Sequence, residues 1–457
     1  MKPCNAYFGL WARRIGRYVL LLLLVAPSLT SCLSLLDCRA TDSTCSPLLY
    51  AALITRTIPT VPIIYAVGFR RITAGDTNWW IKKYDENGTE DTSAWDKTFD
   101  GGSNQADEAF SCSTDSSGNL YVIGVRFDPA QNENWWLKKF SPDGVEDTVN
   151  WNKTFDGGNN DSDFAYDVQV DRANNVFVVG RRYQGGSNQD WWIKKYDANG
   201  VEDTTAWNLS FDGPSTSTDE AQSVALSGDG SVYVVGEFEV PGEFQNIHMK
   251  KFSASGLEDA VGWSKTVNGS QFVNDLATGV AVNAAGEVYV AGYQAESSTN
   301  EDWFIRKYAA DGTEIVGGWN KLIDGGTSAS QELLRALALD TSGNVFVGGR
   351  LNPTNANEEW SIKKFAPTGV EDPAWNIIFN RDASSLLDDV FSLATDAQGN
   401  LYAAGLCASS TTGEDWCVKK YNTDGTEDTA NWNKSYDGGI SLNEWARGVC
   451  VFNKPVN

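Results

Sequence analysis

With 457 residues and a formal net charge of −24, reaching about −28 once residues 1–31 are set aside, the chain is too acidic to seek nucleic acid or an anionic lipid surface. A single histidine, His248, excludes a histidine-rich zinc site and more than one serine–histidine couple. Hydrophobic content is ordinary at 41%, but there are 18 tryptophans, and 13 of them fall at two fixed positions of a repeat.

The chain begins with an address. Arg13, Arg14 and Arg17 precede the apolar run 18–25, and Leu29-Thr30-Ser31-Cys32 follows. A basic segment, an apolar segment and small residues before a cut describe an export signal over residues 1–31. The apolar run is too short for a comfortable membrane span. Leu29-Thr30-Ser31-Cys32 resembles a bacterial lipobox, which implies that Cys32 is acylated, as with palmitate, and becomes the first mature residue. The acyl chains would anchor the protein to the cell envelope, at the outer membrane or cell surface, without spanning the membrane. Residues 32–59 read as the lipidated Cys and a tether, and residues 60–457 as one repeat domain. An exported setting permits disulfides. Cys38 with Cys45 and Cys407 with Cys417 are candidate pairs, although spacing alone does not fix connectivity.

From residue 60 onward one stretch organises everything. Trp79-Trp80-Ile81-Lys82-Lys83-Tyr84 returns in copies starting at Trp135, Trp191, Ile247, Trp303, Trp360 and Trp416, spaced by 56 residues and once by 57. So strict a period predicts one structural unit stacked seven times and counted as one domain. Residues 164–211 show the unit clearly. Phe164–Asp171 reads as a strand, 172–174 as a turn, and Asn175–Gly180 (NVFVVG) as a β-branched, aromatic strand. A loop leads to WWIKKY, 197–200 turns the chain, and Trp207–Phe211 alternates apolar and polar residues. Helical periodicity is absent. Each unit is thus four short antiparallel strands, A to D. Seven such units, arranged radially so that each covers its neighbours, make a seven-bladed β-propeller.

The connections carry little chemistry. The A–B turns read Asp115-Ser116-Ser117-Gly118-Asn119 and close variants, which suits a hairpin with Gly at positive φ. They lack the alternating Asp ligands of an EF-hand loop. Calcium stays open as a ligand, and no cofactor is expected. The C–D turns repeat Gly-x-Glu-Asp, as at Gly88-Thr89-Glu90-Asp91, and set acids beside the strand C lysines as rim ion pairs. Within strand C, position one (Trp79 and its counterparts) and the aliphatic position three should pack between blades against Trp95, Trp151, Trp207, Trp263, Trp319, Trp375 and Trp432 of strand D. Position two drifts from Trp80 to His248, Ser361 and Cys417, which predicts weaker packing demand there. The first repeat lacks its strand A, whereas Trp445–Phe452 aligns with strand A. The C-terminal strand is therefore expected to complete the N-terminal blade and remove two exposed edges.

The D-x-x-G-N turn, the V-[YF]-V-x-G strand and the Lys-aromatic strand end resemble bacterial secreted propeller repeats of the NHL and SBBP type over residues 60–457. The WWIKKY and Trp-x-Lys-x-Phe-Asp-Gly-Gly stretches are similar to a narrower group of spirochaete-type lipoproteins of unassigned function. The resemblance implies a fold and an exported setting, and carries no catalytic residues. No G-x-S-x-G, P-loop or paired CxxC motif is present. The longer D–A and B–C loops share one face, where the repeated Phe-Asp-Gly ends, with Ile or Tyr for Phe in two copies, place Asp100, Asp156, Asp212, Asp324 and Asp437 as candidate binding carboxylates, or as turn formers. The expected function is a monomeric, membrane-anchored binding or adhesion module taking a protein or glycan ligand on that face, rather than an enzyme. The alternatives are a carboxylate-dependent hydrolase or lyase, which needs one or two blades with odd acidic residues, and a structural envelope lipoprotein.

Overall fold

The computed structural model describes residues 59–456, apart from 131, 159–160, 187, 270–273, 298–299, 326–330, 352–358, 382–386 and 439–442. Cys32, Cys38 and Cys45, with the expected signal and tether, lie outside the described residues. Seven four-stranded antiparallel sheets follow one another along the chain, and each is a blade. Blade 4 is representative: strand A is Glu220–Leu226, B is Val232–Val240, C is Phe244–Phe252 and D is Lys265–Val267. A seven-bladed β-propeller results. Among the described residues no helix is long and apolar enough to cross a membrane.

Blade 1 is closed from both ends of the ring. Trp445–Pro455 runs antiparallel to Thr60–Thr73, in register from Thr60 opposite Pro455 to Phe69 opposite Trp445. Cys450 on this strand is disulfide-bonded to Cys112 on strand A of blade 2, 338 residues away in sequence. Cys407 and Cys417 form a second disulfide, between strands B and C of blade 7.

Tryptophan builds the blade junctions. All thirteen repeat-position indoles are at most 1% exposed. Burial of this much surface stabilises by on the order of 4 kcal/mol per indole. Each cluster mixes two successive blades: Trp79, Ile81 and Trp95 of blade 1 pack with Ala109, Leu120, Val122 and Trp136 of blade 2. The polar atoms are used as well. Trp95 Nε1 donates to the Pro142 carbonyl of the next C–D turn (3.1 Å), and Trp207, Trp263 and Trp432 make the equivalent bond.

Two expectations change. Strand D is shorter than the alternation suggests: in blade 3 it is Leu209–Phe211, and Trp207 stands in the turn before it, where its ring reaches across to the next blade. Position two of strand C is not loosely packed, for all seven residues there are buried. Position two of one blade meets position one of the blade before: Trp136 lies 4.7 Å from Trp79, and Trp192 lies 4.7 Å from Trp135. The residue varies although a position-one indole of the blade before is the neighbour of Trp80, Trp136, Trp192 and His248 alike. His248 stacks on Phe238 at 4.2 Å beside Trp191, with Nδ1 2.9 Å from Thr266 Oγ1, and Cys417 fills the place of an indole with its disulfide. Burial, then Lys250, lowers the His248 pKa to about 3, so it stays a neutral packing group. The strand C lysines are buried partners of the C–D turns. Lys82 Nζ lies 2.6 Å from Glu90 and 4.3 Å from the Trp80 ring centroid, and Lys138 and Lys194 repeat both contacts.

Candidate functional site at the axial mouth

The innermost strands converge on the ring axis, and each carries the same irregularity. In strand A of blade 2, Ala109 pairs with Gly124 and Ser111 with Ile123, so Phe110 is an extra, unpaired residue. Such a bulge kinks the strand and re-aims one side chain. It recurs in all seven blades, at Phe110, Tyr166, Gln222, Thr278, Arg335, Phe391 and Arg447. The glycine of the V-[YF]-V-x-G strand makes it fit. A Cβ on Gly236 would stand 1.9 Å from the Glu220 carbonyl oxygen, and one on Gly124 would stand 2.0 Å from that of Glu108. The sequence motif thus has a steric purpose, which is to let strand A bulge toward the axis.

The bulged residues are half-buried between neighbours that are fully buried, such as Ala109 and Ala221. No two adjacent blades share a residue at this position, although the surrounding strands are close copies. Together with the first residues of the A strands and the residues after the strand B glycines, they rim the mouth of the axial channel on the D–A and B–C loop face.

The mouth is polarised. Blades 7, 1, 2 and 3 form an aromatic arc: Phe391 and Trp445 lie 5.6 Å apart, and Phe110 stacks with Phe164 at 6.1 Å, which stacks with Tyr166 at 6.0 Å. The Arg447 guanidinium lies 4.3 Å from the Trp445 ring centroid and 4.7 Å from that of Phe391. Blade 4 is acidic, with Glu220 on strand A directly opposite Glu237 on strand B. Directly opposed residues of antiparallel strands have Cβ atoms about 5 Å apart on one face. Their environments differ. Glu220 pairs with Arg181 of blade 3 and accepts from Gln222 Nε2 at 2.7 Å. Glu237 is 5% exposed, and burial, then the Glu220 charge, hold its carboxyl well above the usual range. The backbone of Glu237 is fixed from the neighbouring blade, because Trp191 Nε1 donates to its carbonyl at 2.8 Å. The repeated strand C tryptophan therefore positions a mouth residue without touching a ligand itself.

The carboxylates picked out by sequence lie farther out on the same face. Asp100 and Asp156 accept from the amides of Gly102 (2.6 Å) and Gly158 (2.8 Å), and so form turns. Asp100, Asp212, Asp324 and Asp437 are exposed, one per blade. Asp324 gathers locally with Asp302 and Glu332, and Asp437 with Asp415 and Glu444, their carboxylate oxygens within 4.8 Å of one another. In the second group Arg381 already pairs with Asp415. An acid beyond the Phe-Asp-Gly end was overlooked: Asp107, Asp163, Asp219 and Asp275 are fully buried. Each ties the D–A loop to the next blade, as Asp219 does by accepting from Gly213 N (2.5 Å) and Glu239 N (2.8 Å). Sequence reasoning also missed the bulged residues. The available signal was their variability inside strand A, set against uniform neighbours.

Two depressions of about 550 and 360 Å³ open on the opposite face. The larger is lined by A–B turns, whose Asp340 and Asp396 carboxylates are used in their own turns, accepting from the amides of Asn344 and Asn400 at 2.9 Å. Chemistry thus points to the axial mouth rather than to these hollows.

No protein-family model matches the chain, and no curated protein matches it, so no sequence match supports the resemblance to NHL and SBBP-type repeats. Solved structures do match. The periplasmic gluconolactonase PpgL of Pseudomonas aeruginosa superposes with a TM-score of 0.52 at 12% identity, covering 86% of this chain and all of that one. A PL25 ulvan lyase matches at a TM-score of 0.44 and 11% identity over 87% of this chain and 97% of the other. The PpgL match shows the fold alone: the chain is a seven-bladed β-propeller whose architecture is similar to that of a gluconolactonase. The PpgL match also corrects the expectation of a non-enzyme, because a gluconolactonase is built on a similar scaffold.

Proposed function

We propose that the protein is a carboxylate-dependent hydrolase or lyase acting at the axial mouth, with Glu237 as proton donor and Glu220 as base. The observation that carries this reading is one acidic pair in one blade, directly opposed, with Glu237 buried and Glu220 held by Arg181. A buried carboxyl that keeps its proton, set opposite a second carboxyl, is a usual arrangement of acid and base. Glu237 gives its proton to the leaving oxygen. Glu220 takes one from the attacking water, or from a substrate carbon in elimination. The blade with odd acidic residues that such a reading requires is blade 4, although those residues lie on strands rather than loops.

The test is a panel of chromogenic glycosides, esters and lactones with the purified protein. On any substrate turned over, Glu237→Gln is expected to lower kcat at least ~100-fold and to remove the alkaline limb of the pH profile. Turnover that is unchanged in both Glu237→Gln and Glu220→Gln would overturn the assignment.

We also propose export with a lipid anchor at Cys32. The Leu29-Thr30-Ser31-Cys32 sequence supports it, as do the two disulfides, which persist in oxidising compartments. Labelled palmitate should enter the wild-type protein and not Cys32→Ala; equal labelling of both would sink the anchor.

A further inference from the structure

Resting on that reading of the mouth, we infer that its ligand is an uncharged pyranose unit of a glycan, seated on the aromatic arc with its hydroxyls on the guanidinium–carboxylate pairs. Three such pairs surround the mouth, and each bridges two blades: Arg181 with Glu220, Arg335 with Asp389 (3.4 Å) and Arg447 with Glu108 (3.6 Å).

Paired charges of both signs leave no excess to select an ion. Each pair instead presents N–H donors next to carboxylate acceptors. A hydroxyl both donates and accepts, so a vicinal diol matches such a pair, while a carboxylate or phosphate would meet the acid and an ammonium the guanidinium. The net charge of −24 adds a long-range penalty against polyanions.

The second requirement comes from the arc. Phe391, Trp445, Phe110 and Phe164 are half-buried, so each keeps part of its surface open at the mouth. Trp445 is steadied by its Nε1 donating to Glu414 at 2.8 Å, and Phe69 packs 5.3 Å from it. Aromatic surface beside alternating donors and acceptors fits a ring with an apolar C–H face and a hydroxylated edge. The acidic pair of blade 4 follows the arc, because Arg181 touches both the Phe164 ring (4.4 Å) and Glu220. A sugar on the arc would therefore place its neighbouring linkage toward Glu220 and Glu237.

The experiment uses the full-length Glu237→Gln protein, so that bound sugar is not consumed. Calorimetric titration is run with cello-, manno-, xylo- and galacto-hexaoses, and with oligogalacturonate and a sulfated hexasaccharide. At least one neutral hexaose should bind, the charged ones should bind at least tenfold more weakly, and Phe391→Ala should weaken binding roughly tenfold, about 1.4 kcal/mol. Trp445→Ala should do the same, and Trp445→Phe, which keeps an aromatic ring in the closing strand, should retain most of the affinity. Binding of only the charged sugars, of none, or with no loss in a folded Phe391→Ala protein would overturn the inference. The two readings fail separately. A neutral glycan that binds on the arc and is never cleaved by wild type would leave this inference standing without the catalytic one. Glu237-dependent turnover of a non-sugar would do the reverse.

Discussion

A protein ending at residue 444 is expected to lose its cooperative thermal transition and to aggregate at concentrations where the full chain does not. The missing strand, Trp445–Pro455, supplies ten cross-strand pairs to Thr60–Thr73, the Cys450 end of a disulfide, and the Arg447 and Trp445 side chains of the mouth. Its removal exposes the edge of blade 1, a row of unpaired amides and carbonyls that templates association. It also uncovers the apolar face of Val449 and Ala446 that packs with Trp416 and Val418 of blade 7. The measurement is calorimetry with light scattering on the truncated chain. An unaltered melt would refute the closing role of this strand. The Cys112→Ser, Cys450→Ser double variant, with the strand kept, separates the hydrogen-bonded pairing from the covalent tie; it should melt lower but still cooperatively.

The second large effect concerns pH. Burial pushes the carboxyls of Asp107, Asp163 and Asp275 up to about 6, and those of Asp219 and Glu444 to about 7, against the pull of backbone amides that favour the ionised form. Their folded values lie above the unfolded ones, about 4, so the folded state holds the protons more tightly. The stability they contribute is full below about pH 4 and is lost as pH rises through 6 to 7. Asp96 and Asp147 run the other way: burial works against them, but hydrogen bonds, from Trp80 to Asp96 and from Asn150 to Asp147, bring their values down, so they weaken the fold only in stronger acid. A melting temperature higher at pH 5 than at pH 8, by on the order of 5 °C, is expected, since several partly screened shifts of a unit or more sum to a few kcal/mol. Relief of the overall negative charge acts in the same direction, so the scan should be repeated at high salt, which screens surface repulsion and leaves buried groups nearly untouched. An effect that vanishes in salt, or that Asp219→Asn leaves entirely unchanged, would count against the buried acids.

The frame was readable because its determinants repeat. Seven copies of one strand average out local ambiguity, and an indole at a constant offset can only be a constant contact. The missing first strand A pointed to ring closure for the same reason. What could not be read was anything set by one place in the ring. Position two of strand C looked permissive because its residue varies, yet it is buried against the blade before in each place: Trp136 meets Trp79, and His248 meets Trp191 and also stacks on Phe238 of its own blade. Cys112 and Cys450 show no proximity in sequence, since only closure brings the strands of blades 1 and 2 side by side. The mouth was missed because Phe-Ala-Tyr-Asp, at residues 164–167, breaks the two-residue alternation that strand reading relies on. The break is the bulge itself.

That bulge has a consequence for how such a protein can change. The residue it carries has no partner in the sheet ladder, so exchanging it leaves the strand pairing as it is; only its contacts across to the next blade, as at Thr278, Arg335 and Arg447, are at stake. Selection, or an experimenter, can rewrite seven side chains around one axis while the frame stays as it is. A combinatorial library confined to Phe110, Tyr166, Gln222, Thr278, Arg335, Phe391 and Arg447 would vary what the mouth accepts while the strand pairing of all seven blades is kept.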